Sequence, residues 1–283
     1  MPYVNEITSP TKKTTVMKKC VVLFVCCAVV LAGCFDVTTK VKVKPDGSGT
    51  IEQTFLISKA ALEMQQSGKK KKEPFHNPTQ LKKEAAELGN GVEYVSSKKV
   101  STDDFDGYTV VYKFSDISAL KLSDDFGEKV SSKKKTASDE APRQKTYTTF
   151  AFQKGAESEL VINMPPKAST VKQDKTDEET TDAASDSLAE SGLAMMRLFF
   201  RGMKIATYIE PQGEIVSTNA HLRDGNRITL AEVEFEKMFA DTSTLRYLRK
   251  MKDDNSPEAM REVMRNVPGI KLETAEKITV RFR

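Results

Sequence analysis

The chain has 283 residues, with 44 basic and 40 acidic side chains and a net charge of +4. Most of this excess lies before residue 34, where four lysines face a single glutamate, so the rest of the chain is nearly neutral. This balance argues against nucleic acid as a partner, because nucleic-acid binding needs a strongly basic domain or stripe. The length is sufficient for one large core or two small ones.

Residues 17–33 have the layout of a secretory signal peptide. Lys18 and Lys19 precede an uncharged run from Cys20 to Ala32, and a small residue follows that run. The run is shorter than the roughly 20 apolar residues that a membrane-spanning helix needs. We therefore predict a signal peptide over residues 1–33, with Met17 as an alternative start of translation.

Four residues at the end of this run, Leu31, Ala32, Gly33 and Cys34, resemble the lipobox of bacterial lipoproteins. The resemblance implies that a peptidase recognises the first three and cuts before Cys34, whose thiol carries a diacylglycerol. Two acyl chains hold a protein on a membrane essentially permanently. The lipid bilayer is thus the first predicted partner. The alternative is an ordinary cleaved signal with an incidental cysteine.

All the cysteines of the chain lie in or directly after this signal: Cys20, Cys26, Cys27 and Cys34. The exported part has no second thiol, which excludes disulfides and thiolate metal sites. Its fold must therefore rest on the burial of apolar side chains.

Three polar segments, 65–80, 123–145 and 167–187, divide the exported chain. Their composition favours solvated loops or linkers. We predict an N-terminal α+β region of hairpins over 34–166, a polar linker or loop over 167–187, and a C-terminal region over 188–283. The C-terminal region is predicted to belong to the same domain.

The N-terminal region opens with a predicted β-hairpin over residues 36–58, because apolar and polar residues alternate on both sides of Asp46-Gly47. One face is apolar and the other carries lysines, which form either a solvated face or a site for an anionic ligand. A helix with the sequence PTQLKKEAAEL is predicted to end at Gly89. A strand through Tyr108 and Phe114 follows a predicted turn over 103–107.

A further hairpin is predicted over residues 145–166. The C-terminal region then begins with a predicted helix and continues with two or three strands, joined at 211–213 and 224–226. Two helices follow, the second starting at Ser256-Pro257, and a last strand reads EKITVRF. This pattern predicts an α+β fold with a largely antiparallel sheet, built from successive hairpins, and helices packed on one face.

No motif of a catalytic or metal site is present in the sequence. His76 and His221 are the only histidines, and neither has metal-ligand spacing nearby. The Asp103, Asp104 and Asp106 cluster is read either as a turn or as a calcium site that lacks the full EF-hand spacing. We therefore predict no catalytic residue, no metal and no cofactor.

Two groups of residues are candidates for membrane or partner contact. Lys69, Lys70, Lys71 and Lys72 are positioned to touch anionic lipid, with a solvated loop as the alternative. Phe199 and Phe200 lie on an apolar stripe edged by arginines, with packing against the sheet as the alternative.

Two stretches of the exported chain resemble the LppM-type domain of bacterial lipoproteins. Soon after Cys34, Asp46 to Gly49 occupy the place of that family's Asp-Gly-Ser-Gly turn. Later, Pro211 to Gly213, Asn219 and Asp224 to Asn226 follow its strand, turn, Asn and Asp-Gly-Asn pattern. The resemblance implies a membrane-tethered α+β domain whose role is binding or envelope interaction rather than catalysis.

The predicted function is that of a lipid-anchored, non-enzymatic envelope lipoprotein that binds an envelope protein or lipid, facing the periplasm or the outside. Phe35 instead of Asp follows the anchor, which by the lipoprotein resemblance predicts the outer membrane if the cell has two membranes. Two alternatives remain open: an envelope hydrolase that uses carboxylates or His221, and a structural or assembly factor.

Overall fold

A computed structural model gives the fold and describes residues 35–59, 62, 76–123, 146–165, 200–240, 244 and 266–283. Strands make up most of the described residues. In chain order the elements are β1 (Phe35–Val43), β2 (Gly49–Ser58), α1 (Pro78–Leu88), β3 (Glu93–Ser101), β4 (Phe105–Phe114), a 3₁₀ turn (Ile117–Ala119), β5 (Lys121–Ser123), β6 (Tyr147–Gln153), β7 (Ser158–Asn163), β8 (Lys204–Pro211), β9 (Ile215–Thr218), β10 (Arg223–Asp224), β11 (Arg227–Glu234), α2 (Phe235–Met238), β12 (Ile270–Leu272) and β13 (Lys277–Phe282).

The strands form two sheets, and both halves of the chain contribute to each. The large sheet has eight strands in the order β10-β11-β8-β1-β2-β4-β3, with β12 also paired to β11. The small sheet has five strands in the order β5-β6-β7-β13-β9. Neighbouring strands are antiparallel except for β1 and β8, which run parallel.

The two sheets share one apolar core. The residues that form it alternate along their strands, so that each strand presents one apolar side to the core. Fully buried members from the large sheet are Val41, Ile51, Tyr112, Ile209 and Ile228, and those from the small sheet are Leu160, Ile162, Ile278, Val280 and Phe282. We call the face of the large sheet that lines this core the inner face and the opposite face the outer face.

The predicted first hairpin is confirmed. β1 and β2 pair antiparallel over their whole length, from Phe35 opposite Ile57 to Val43 opposite Gly49. Gly47 adopts a φ of 86° in the turn, a conformation that favours glycine. Alternate residues of β1 are buried, and the lysines lie on the outer face.

The predicted helix is also confirmed, as α1. Asn77 caps it by accepting the backbone N–H groups of Thr79 and Gln80, and the helix ends before Gly89. Its buried residues, Leu81, Ala85 and Leu88, join the common core. The later hairpin is confirmed as β6 and β7, which pair antiparallel.

The predicted α+β class is wrong. Strands dominate the described residues, and the second sheet, not a layer of helices, supplies the opposite wall of the core. Periodicity identified most strands but did not show that they belong to two sheets. The helices predicted around the polar linker and after residue 240 fall mostly outside the described residues, and Phe200 to Met203 form a turn.

Two predicted turns have different roles in the structure. The residues from Pro211 to Gly213 carry the chain from β8 of the large sheet to β9 of the small one, so they do not close a hairpin. The turn before β4 is shorter than predicted, because the strand already begins at Phe105 and Gly107 lies within it.

Candidate functional site

Most of the predicted site residues lie outside the described part of the chain. These are Leu31, Ala32, Gly33, Cys34, Lys69, Lys70, Lys71, Lys72 and Phe199. Phe200 is described, as are both histidines and the Asp cluster.

One end of the large sheet adjoins the predicted anchor. β1 begins at Phe35, the residue after Cys34, and it is an interior strand between β2 and β8. Phe35 faces Ile57 near the end of β2, and Asp36 faces Lys204 at the start of β8. We call this end, where β1 and β8 begin and β2 and β11 end, the tether end.

An apolar cluster fixes the start of β1 at the tether end. Phe35 and Met203 are buried in it, and Phe200 and Phe235 pack against them. The Phe200 ring stacks on the rings of Phe235 and Phe239, with centroid distances of 5.6 and 4.9 Å. The cluster therefore packs Phe35, the residue after the predicted anchor, against the sheet.

A charged network crosses the outer face between β8, β11 and β12. The Glu232 carboxylate accepts hydrogen bonds from the Tyr208 hydroxyl and from Lys271 Nζ, the latter at 2.7 Å. Lys204 Nζ lies 3.4 Å from the same carboxylate. Only 9% of the Glu232 side chain is exposed, so these three partners replace most of its hydration.

The pKa values of the network reflect this arrangement. Burial would raise the pKa of Glu232, but the hydrogen bonds from Lys271 and Tyr208 and the charge of Lys204 outweigh burial and lower it to about 2. Burial and the bond to Glu232 raise the pKa of the Tyr208 hydroxyl. Burial likewise raises the pKa of Asp36. Glu232 is thus a carboxylate over the whole physiological pH range.

A polar groove lies at the opposite end of the outer face, and we call it the distal groove. Its volume is about 410 Å³, and it is lined by Lys42, Glu210, Pro211, Gln212, Asp224, Asn226 and Arg227. The Arg227 guanidinium bonds Glu210 at 2.9 Å and covers the Tyr208 ring at 5.0 Å. Two basic and two acidic side chains balance in the lining, so its chemistry suits a small polar ligand held by both donors and acceptors.

His221 is paired with a buried carboxylate. Glu273 Oε1 lies 2.7 Å from His221 Nδ1. The same carboxylate accepts the backbone N–H groups of His221, Leu222, Thr274 and Ala275 at 2.8 to 3.1 Å. Burial would raise the pKa of Glu273, but these donors outweigh it and hold the pKa below its ordinary value of 4.5.

This pair resembles half of a hydrolytic triad, in which a carboxylate orients a histidine. The Thr274 hydroxyl oxygen, Oγ1, lies 3.5 Å from Nδ1, the nitrogen that already faces Glu273. A nucleophile would have to face the other ring nitrogen. The dominant effect of Glu273 is to join the loop before β10 to the loop before β13.

The other polar candidates take part in local structure. His76 Nε2 lies 2.7 Å from Ser97 Oγ, and Asp106 accepts from Ser101 Oγ at 2.6 Å. Among the described residues no cluster of His, Cys, Asp and Glu could hold a metal ion. None of the helices in the described ranges is long and apolar enough to cross a membrane.

Sequence reasoning identified His221 but missed its partner Glu273 and the Glu232 network. Each is one of 40 acidic side chains, and nothing next to it in sequence marks it. The sequence marks the groove residues Asp224 and Asn226 only as a turn and as part of the LppM-like pattern. Their convergence with Lys42 and Glu210 depends on the parallel pairing of β1 and β8, which no local pattern reveals.

Comparison with known proteins finds a structural likeness but no sequence match. No protein-family model matches the chain, and no curated protein matches it. The chain is similar to the folded domain of LppM from Mycobacterium tuberculosis, determined by NMR, with a TM-score of 0.33 and 8% identity. The match covers 89% of this chain and 91% of the other. A likeness at this level carries no argument about fold or function.

Proposed function

We propose that this chain is a bacterial envelope lipoprotein, anchored through acylated Cys34, whose non-catalytic body binds an envelope component. One observation carries the proposal. The interior strand β1 begins at the residue that follows the predicted cleavage and lipidation site. The predicted signal thus ends directly before the first described strand, which supports the proposal.

The distal groove is the proposed binding site of the body. It combines donors and acceptors in an open, charge-balanced lining, which suits recognition of a polar ligand. Its polar groups also bond each other, as Arg227 and Glu210 do. Binding therefore suits this groove better than catalysis, which needs groups aimed at a reacting atom.

The membrane assignment follows from the residue after the anchor. Phe35 stands where Asp would retain a lipoprotein in the inner membrane, so we place the protein in the outer membrane of a cell with two membranes. Separation of the two membranes by density tests this placement. Phe35→Asp is unsuitable as a test, because Phe35 is 8% exposed and a buried charge would disturb the fold.

Metabolic labelling with a palmitate analogue, followed by membrane fractionation, tests the anchor. Wild type should carry the label and sediment with membranes, whereas Cys34→Ser should be unlabelled and keep the uncut signal. Cys27→Ser is the matched control and should behave as wild type. Label on both wild type and Cys34→Ser, or on neither, would contradict the proposal.

A second candidate, an envelope hydrolase, is favoured by the short contact between His221 and Glu273. Purified protein assayed against model esters and glycosides tests it. Turnover that His221→Ala abolishes, with folding intact, would support hydrolysis. Absence of turnover, or turnover that survives this substitution, would count against it.

A further inference from the structure

We infer that the body stands upright on the bilayer, with the tether end against the lipid headgroups and the distal groove directed away from the membrane. This orientation rests on the proposed acylation of Cys34. Three features of the molecule support it: the absence of a linker, the length of the sheet, and the pairing of its surface charges.

The anchor leaves no linker before the fold. Consecutive Cα atoms are about 3.8 Å apart, so the first strand residue, Phe35, lies within one residue of the lipidated position. Phe35 is buried against Met203 and opposite Ile57. The body cannot move away from the headgroups by extending a flexible segment, and the tether end must remain beside them.

The sheet then sets the distance of the groove from the membrane. β1 runs eight residue steps from Phe35 to Val43, which corresponds to about 26 Å at roughly 3.3 Å per residue. β8 runs parallel to β1 and brings Pro211 beside Val43. Pro211 and Gln212 line the distal groove, so the groove lies at the far end of the strand that carries the anchor.

The charges of the outer face do not favour a body lying flat on anionic lipid. Most of the described lysines on this face lie near carboxylates: Lys40 is 3.6 Å from Glu52, Lys113 is 2.9 Å from Glu93, and Lys271 is 2.7 Å from Glu232. Lys98 is an exposed lysine of the same face without an ion pair among the described residues. Paired lysines attract an anionic surface less than free ones do, because the partner carboxylate is repelled.

Among the described residues, the tether end itself offers little net electrostatic attraction. Lys237 pairs with Glu234 at 2.8 Å, and Asp103 and Asp104, in the turn beside Phe105, offset the charge of the exposed Arg201. Contact of this end with the bilayer therefore comes from the covalent tether, not from anionic lipid. The orientation should be the same on zwitterionic and anionic membranes.

Energy transfer from site-specific dyes tests the orientation. The mature chain has no cysteine after Cys34, whose thiol is blocked by the lipid, so an introduced cysteine is the only free thiol. Arg201→Cys places a dye at the tether end, and Gln212→Cys places one at the distal groove. Both side chains are exposed.

Each lipidated, dye-labelled protein is reconstituted into phosphatidylcholine vesicles that carry an acceptor on the headgroup. We expect efficient transfer from position 201 and a dye at position 212 that is farther from the headgroups by about 20–30 Å, the strand length given above. Replacing a third of the lipid by phosphatidylglycerol should leave this difference unchanged. Equal distances, or a shorter distance from position 212, would overturn the inference.

A linker variant tests whether the absence of a linker causes the orientation. A flexible insert of twelve Gly and Ser residues between Cys34 and Phe35 spans about 17–21 Å on average, so the difference between the two dyes should shrink. An undiminished difference would overturn the inference, because the orientation would then have another cause.

Mass spectrometry of the same samples separates the two proposals. Missing acyl chains would refute the lipoprotein assignment, whereas acylated protein with equal dye distances refutes the orientation alone.

Discussion

At the scale of single residues, two carboxylates of the outer face show how burial changes the contribution of an ion pair to the stability of the fold. Glu232 is 9% exposed and receives three partners, whereas the Glu52 side chain is 36% exposed and lies 3.6 Å from Lys40. Glu232→Gln should lower the free energy of unfolding at pH 7 by about 1–3 kcal/mol. Glu52→Gln, the matched control, should cost less than about 1 kcal/mol. Urea unfolding measures both, and equal losses would contradict this account.

The same carboxylate gives a pH dependence of defined sign. The pKa of Glu232 falls from its ordinary value of 4.5 to about 2 on folding, so its contribution is complete above pH 4.5 and is lost as the pH falls toward 2. The stability difference between wild type and Glu232→Gln should therefore shrink between pH 5 and pH 2.5. A difference that stays constant over this range would show that the charge of Glu232 is not responsible.

Substitutions of Glu273 and His221 distinguish a structural role of this pair from a catalytic one. Glu273→Ala leaves four part-buried backbone N–H groups without their acceptor and should destabilise the fold by about 2–4 kcal/mol. His221→Ala should cost less than about 1 kcal/mol, because 65% of the His221 side chain is exposed. Thermal unfolding of both variants checks the pair. A larger loss of stability for His221→Ala than for Glu273→Ala would contradict the structural role of Glu273.

At the scale of elements, the sequence predicted those structures that form through contacts between residues close together in the chain. β1 and β2 are joined by a short turn through Gly47, and α1 carries its own cap and end, so neighbouring residues contain the needed information. Alternation failed where a strand is irregular. A bulge between Thr229 and Ala231 shifts the register of β11 against β8. It moves Glu232 to the outer face, although strict alternation would place it on the face of Ile228.

The pairing of β2 with β4 depends on a glycine with no space for a side chain. A Cβ at Gly107 would lie 2.0 Å from the Phe55 carbonyl oxygen, and that carbonyl belongs to the paired strand. Gly107→Ala should therefore destabilise the protein by more than about 3 kcal/mol. Gly225→Ala is the control: no atom lies within 4 Å, and only its φ of +57° is unfavourable, a cost of about 1–2 kcal/mol. Chemical unfolding compares the two, and similar losses would contradict the steric argument.

At the scale of the whole molecule, the sequence did not predict which strands meet. β1 pairs with β8 although residues 44–203 separate them, and the turn after β8 moves the chain into the other sheet. Charged residues that form the distal groove and the Glu232 network converge only through these long-range pairings. The lipid anchor stays a prediction that rests on a contiguous signal, whereas the proposed binding surface has no such signal in the sequence.

The last strand shows how strongly the whole fold depends on a distant segment. β13 lies between β7 and β9, and its Ile278, Val280 and Phe282 side chains are fully buried. Each contributes about 1.5–3 kcal/mol of apolar burial, and their sum is comparable to the whole stability of a typical domain, about 5–15 kcal/mol.

Deletion of residues 277–283 should therefore abolish cooperative folding, as seen by circular dichroism and by loss of soluble protein. Arg283→Ala removes only an exposed ion pair with Glu214. Its free energy of unfolding should therefore lie within about 1 kcal/mol of the wild-type value. Cooperative unfolding of the truncated chain near the wild-type midpoint would show that β13 is dispensable and that the two sheets do not form one cooperative unit.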